Sequence, residues 1–182
     1  MRAGFLLDVN VLIAMAWPTH RAHEKVQEWL ARHPHERWAT CPLTQTGFVR
    51  ILSNPAFSPN ALTPNHALAL LRANLGHPAH SFWADEISFI QALEPFNPRL
   101  AGHQQVTDAY LLGLAMHKKG KLATMDRSVL ALLPEKSRER DFVELIGSKS
   151  VCLTKEVDTS VRRPSETVSQ LSRRPAKITS AE

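Results

Sequence analysis

Two short apolar runs in this chain each give way to an aspartate, and helical patterns lie between them. Residues 4–7 stop at Asp8, and Lys121–Thr124 is followed, one residue on, by Asp126. A brief apolar run closed by a charge reads as a strand buried on both faces that ends where the sheet meets water. Strands that alternate with helices are joined by crossovers, and crossovers make neighbouring strands parallel. The expectation is an α/β domain of three layers, α/β/α, with helices on both faces of a mostly parallel central sheet of four to five strands.

Spacing and Pro/Gly punctuation supply the other elements. Residues 36–41 read as a second strand, 80–83 as a weaker one and 142–146 as the last. Ala22, Val26, Trp29 and Leu30 recur at helical spacing within 21–33, and Pro34 closes that helix. Pro42 precedes the stripe Leu43, Gly47, Phe48, Ile51 and Leu52, a helix closed by Asn54-Pro55. Thr63-Pro64 opens another helix through Leu75, with Gly76 beyond its end. Residues 94–102, with Pro95 and Pro98, read as a loop. Thr107-Asp108 introduces the clearest helix, whose apolar residues run to Met116 before Lys118-Lys119-Gly120 stops it. Asp126 starts a short helix to Leu133.

Charge divides the chain in two. Of the net +5, residues 1–148 hold 15 Lys/Arg against 13 Asp/Glu, a balance of +2, and residues 149–182 hold 7 against 4, a balance of +3. A tail rich in Ser, Thr, Arg and Pro buries too little to order itself, so 1–148 is expected as the folded domain and 149–182 as a basic, disordered extension or an arm for RNA or a partner. No apolar run approaches the roughly 20 residues that span a bilayer, and the acid-bearing start is no secretory leader, so a soluble, cytoplasmic protein is expected. Cys41 and Cys152 lie far apart and outside any CxxC pair, which leaves both as packing residues. His20 and His23 lack companions for zinc, and the four tryptophans read as core or dimer contacts.

In a parallel sheet, ligands bind beyond the carboxyl ends of the strands. Asp8 and Asp126 fall there, and Asp108 begins the helix that leads into the strand before Asp126. Each alone is explained as a helix cap or dipole partner. Together they form a cup for a hard cation, which takes carboxylates, waters and phosphate oxygens, and so point to phosphodiester chemistry.

The segments LLDVNVLIA at 6–14, CPLTQTGFVRILSNP at 41–55, VTDAYLLGLA at 106–115 and LATMDR at 122–127 occur in the order and spacing of one family. From residue 4 to about 146 the chain resembles a PIN domain of the VapC toxin type. The resemblance implies a homodimer, an antitoxin partner and Mg²⁺- or Mn²⁺-dependent endonucleolytic hydrolysis of RNA, transfer or ribosomal. By position, Asp8, Asp108 and Asp126 match three members of the family's acidic quartet and would be its metal ligands. Asn10 and Thr124 match polar positions that support the site, and Arg50 matches a basic residue near the pocket.

At the fourth acidic position the family usually has Glu, and this chain has Gln45. A carboxamide can still accept a hydrogen bond or coordinate, but it lowers the attraction for a metal by one formal charge. The resemblance therefore leaves two readings: a nuclease in which Asp8, Gln45, Asp108 and Asp126 are catalytic, with Gln45 the weak member, or an impaired domain that binds RNA or antitoxin. Arg50, Lys118, Lys119, Lys121 and Arg127 are the candidates to hold the RNA backbone. A phosphoaspartate enzyme ranks third, since Val9-Asn10 after Asp8 brings no second acid or hydroxyl.

Overall fold

The structure, a computed structural model, describes residues 4–58 and 60–147. The tail, with Cys152, lies outside the described residues. Five strands form one sheet: β1 (Phe5–Leu7), β2 (Trp38–Thr40), β3 (His80–Phe82), β4 (Lys121–Thr124) and β5 (Val143–Leu145). Their order is β3-β2-β1-β4-β5 and every pairing is parallel. The chain therefore runs outward from β1 to β3, crosses back, and adds β4 and β5 on the other side. Between β1 and β4 the winding reverses, the position at which open α/β sheets leave a crevice at their carboxyl edge.

Alternation along the strands divides the core. Leu6, Ala39 and Leu122 face one way, towards α6 (Gln105–His117) and α5 (Phe89–Leu93). Phe5, Leu7, Trp38 and Ala123 face the other, towards α1 (Val9–Ala16), α2 (His23–Arg32), α3 (Pro42–Leu52) and α4 (Pro64–Leu75). This is the expected three-layer arrangement.

Two helices differ from the sequence expectation. α1 gives no periodic signal because Val11, Leu12, Ile13 and Ala14 are buried in succession, which leaves no polar face to mark a turn. The stretch 94–102, read as a loop, begins with a 3₁₀ helix, Glu94–Arg99, that continues α5. Pro95 stands in its first turn, where no N–H is needed, and the fully buried Phe96 anchors it. α6 starts at Gln105, so Asp108 lies within its first turn. Asp126 caps a 3₁₀ helix, Arg127–Leu132, where a short helix was expected. Trp29, Trp38 and Trp83 are buried, as is Cys41. Among the described residues no helix is long and apolar enough to cross a membrane.

Candidate active site

Asp8 follows β1 directly and caps α1, with only 7% of its surface exposed. On the neighbouring strand, Thr124 ends β4; its hydroxyl donates to Asp8 Oδ2 at 2.8 Å and accepts from the backbone N–H of Asp126 at 3.0 Å. One buried hydroxyl thus ties two acids across the β1–β4 junction. Asp126 Oδ1 accepts from the Ser128 N–H at 2.8 Å, which fixes the turn that carries it. Asp108 and Asp126 share a cleft of about 420 Å³ that also contains Gly102, Gln105 and Ser128.

The three carboxyls feel one another. Burial raises Asp8 above its ordinary value, the Thr124 hydroxyl and the first N–H groups of α1 oppose that, and Asp126 adds to it. Asp108 is pushed up to about 6, mainly by burial and then by the charges of Asp8 and Asp126. No basic side chain offsets them, since the ion pairs among the described residues are Lys118–Glu86 and Lys121–Glu144. The charge of clustered acids is relieved either by protonation, as the raised Asp108 shows, or by a bound cation. Oxygen donors of this kind suit Mg²⁺ or Mn²⁺, which need one or two carboxylates and complete their shell with water and phosphate. The set does not form a closed cage: among the described residues, no three His, Cys, Asp or Glu side chains group as ligands of one ion.

Gln45 lies in the first turn of α3, half-buried, at the same edge of the sheet because β2 adjoins β1. Its Nε2 donates to Thr40 Oγ1 at 2.9 Å, and that oxygen lies 2.9 Å from His80 Nε2. It makes no direct hydrogen bond to Asp8, Asp108 or Asp126. Thr40, fully buried at the end of β2, escapes a reading of the sequence; its one signal is a hydroxyl at a strand's carboxyl end.

A model of the PIN domain matches residues 5–135 of the chain. Ribonuclease VapC38 of Mycobacterium tuberculosis is 40% identical over 141 residues, 78% of this chain and 96% of that protein. Ribonucleases VapC44 and VapC39 of the same organism are 40% and 39% identical over 71% and 68% of this chain, and 89% of each relative. The chain belongs to the PIN-domain family, in its VapC group.

In this PIN domain the basic candidates separate into two groups. Arg127 is exposed beside Asp126 and lines a cleft of about 800 Å³ with Asn10, His20, Arg21 and Lys25. Arg21 and Lys25 were not among the sequence candidates, because they lie on a segment far from any acidic motif; here they stand across one cleft from Asp126. Lys118 and Lys119, candidates for the RNA backbone because they lie near a motif segment, stand at the other end of α6 from Asp108. They follow the last turn of α6, ten and eleven residues beyond Asp108, which at about 1.5 Å per residue places them roughly 15 Å along the helix from it. Lys118 pairs there with Glu86, and Lys119 and Lys121 line a cleft with Gly4 and Phe5, at the amino edge of the sheet. Arg50, in the last turn of α3, is exposed and lies at the end of that helix remote from Gln45. Both PIN-domain clefts that contain Asp126 meet at that residue, one acidic through Asp108 and one basic through Arg21, Lys25 and Arg127.

Proposed function

We propose that this chain is a divalent-metal-dependent endoribonuclease, the toxin of a toxin–antitoxin system, with its reacting centre at Asp8, Asp108 and Asp126. The observation that carries this reading is the pair of acids tied across the strand-order reversal by one buried hydroxyl, Thr124 donating to Asp8 and accepting from the Asp126 N–H, with Asp108 sharing a cleft with Asp126. A Mg²⁺ or Mn²⁺ held there would neutralise carboxylates and scissile phosphate together and lower the pKa of an attacking water.

The chain's own residues prepare the site. Thr124 aims Asp8 and partly offsets the burial that raises it, since its hydroxyl donates to the carboxylate. Asn10 and Arg127 border Asp126 on its basic side, where Arg21 and Lys25 would hold phosphates flanking the cut. Gln45 contributes an uncharged amide, which favours weaker cation binding than a carboxylate would give. The same charge pattern supports an RNA strand that crosses Asp126 from one cleft to the other. Exposed Phe82, Phe89 and Ile90 support an antitoxin contact or a homodimer. The reading takes 1–148 as the nuclease domain, 149–182 as its basic tail, transfer or ribosomal RNA as substrate and the cytoplasm as its place.

A second reading, an impaired domain that only binds RNA or antitoxin, is favoured by Gln45. Cleavage of total RNA with Mg²⁺ or Mn²⁺ and with chelator separates the two. Turnover that needs the metal and disappears in Asp8→Ala is expected. Equal rates in chelator would sink the nuclease; RNA binding without turnover in either metal would leave the second reading.

A further inference from the structure

Thr40 has one hydroxyl proton and two polar neighbours, so its hydrogen bonds have a direction. Gln45 Nε2 can only donate, and it points at Thr40 Oγ1 from 2.9 Å. Thr40 is fully buried, so its own proton needs a protein acceptor, and the one in reach is His80 Nε2 at 2.9 Å. The ring is fixed for that role. Trp38 and His80 are register partners on β2 and β3, with ring centroids 4.7 Å apart, and Thr40 projects from the same face of β2 as Trp38. Burial lowers His80 and so favours the neutral ring, and a neutral ring that accepts at Nε2 carries its proton on Nδ1.

We infer that Thr40 and His80 are positioning residues for Gln45: the chain runs one way, from Gln45 Nε2–H to Thr40 Oγ1–H to His80 Nε2, and leaves Gln45 Oε1 as the end of the amide offered to the reacting centre. The inference deepens the nuclease reading above and rests on it only for the word reacting. Oε1 accepts no hydrogen bond from any described residue, so it is free to take one from water or substrate. A carboxylate at position 45 cannot donate. It would accept the Thr40 proton, and Thr40 would then have to accept from His80, which moves a proton to Nε2. Glutamate at 45 thus adds a charge and reverses the chain at once, and the donor that suits an acceptor histidine is glutamine.

The direction is readable by ¹⁵N spectroscopy of the imidazole rings in the full, metal-free chain, with His80→Gln assigning the signal. A bare Nε2 and a protonated Nδ1 are expected, with Nε2 protonated in Gln45→Glu and that response abolished when Thr40→Val is added. A protonated Nε2 in the unaltered chain, or the same His80 spectrum in both, overturns the chain. For the positioning role, His80→Leu should lower kcat for Mn²⁺-supported RNA cleavage about tenfold with KM little changed, the usual scale for residues that orient a ligand. His80→Gln, whose carbonyl can accept from Thr40, should restore it. Equal kcat in His80→Leu overturns positioning. If the unaltered chain cleaves no RNA, the nuclease reading fails, and the spectra still decide the direction of the chain.

Discussion

Near neutral pH, Asp108 sits close to its own titration point, about 6 against an ordinary 3.8. Raised in the fold, it favours the protonated form, so its stabilising contribution is full below about pH 3.8 and disappears as pH rises through about 6. Asp8 is shifted in the same direction. His80 works oppositely: burial, then Arg37 and His77, lower it, so it contributes above its ordinary value and less as acid is added. The comparison with Asp108→Asn therefore isolates the aspartate. In chelator, the unaltered chain should gain a few degrees of melting temperature relative to Asp108→Asn between about pH 7 and about pH 5, measured by calorimetry. A difference that stays flat across that range would mean that burial and the neighbouring acids do not raise Asp108.

Among the helices, α5 and α6 approach closely at one glycine. A Cβ at Gly113 would lie 2.2 Å from the Ala92 carbonyl oxygen, which only a glycine permits. Alanine there gains about 1 kcal/mol of helix propensity. Pushing two backbones apart costs more, so Gly113→Ala should be destabilised by roughly 1–3 kcal/mol in urea unfolding. At this scale the sequence is most legible where polarity alternates with burial: α2, α3 and α4 announce themselves by stripes and by Pro and Gly at their ends. α1 does not, since it is apolar almost all round, and β3 only faintly, since His80 and Ser81 are half-buried and Phe82 is exposed. Asp8 and Asp126 are legible because a charge that closes a buried strand has one edge to occupy. The Gln45–Thr40–His80 contacts are not, because a hydrogen bond between strands has no period to find. Lys118 and Lys119 stand apart from Asp108 because α6 intervenes, a separation that nearness to a motif along the chain does not reveal.

Over the whole molecule, Arg21, Lys25 and Arg127 line a cleft with Asp126, while Lys119 and Lys121 line one with Gly4 and Phe5 at the amino edge of the sheet. Salt dependence tests which group meets RNA. Replacing Arg21, Lys25 or Arg127 with alanine should make the slope of log Kd against log salt shallower by about 0.7 for each phosphate of a single strand that is no longer neutralised. Lys118→Ala and Lys119→Ala should leave it unchanged. The reverse pattern would move the RNA to the opposite edge.

The place of β4 in the sheet has a further consequence. Made late, it enters beside β1, and the hydroxyl it brings to Asp8 lies 116 residues away in sequence. While the polypeptide is still emerging from the ribosome, β1 has an open side and Asp8 has no Thr124 to hold it. A translation product halted before Lys121 lacks β4 and β5, so the junction that holds Asp8 against Thr124 closes only when synthesis of the described domain is nearly done.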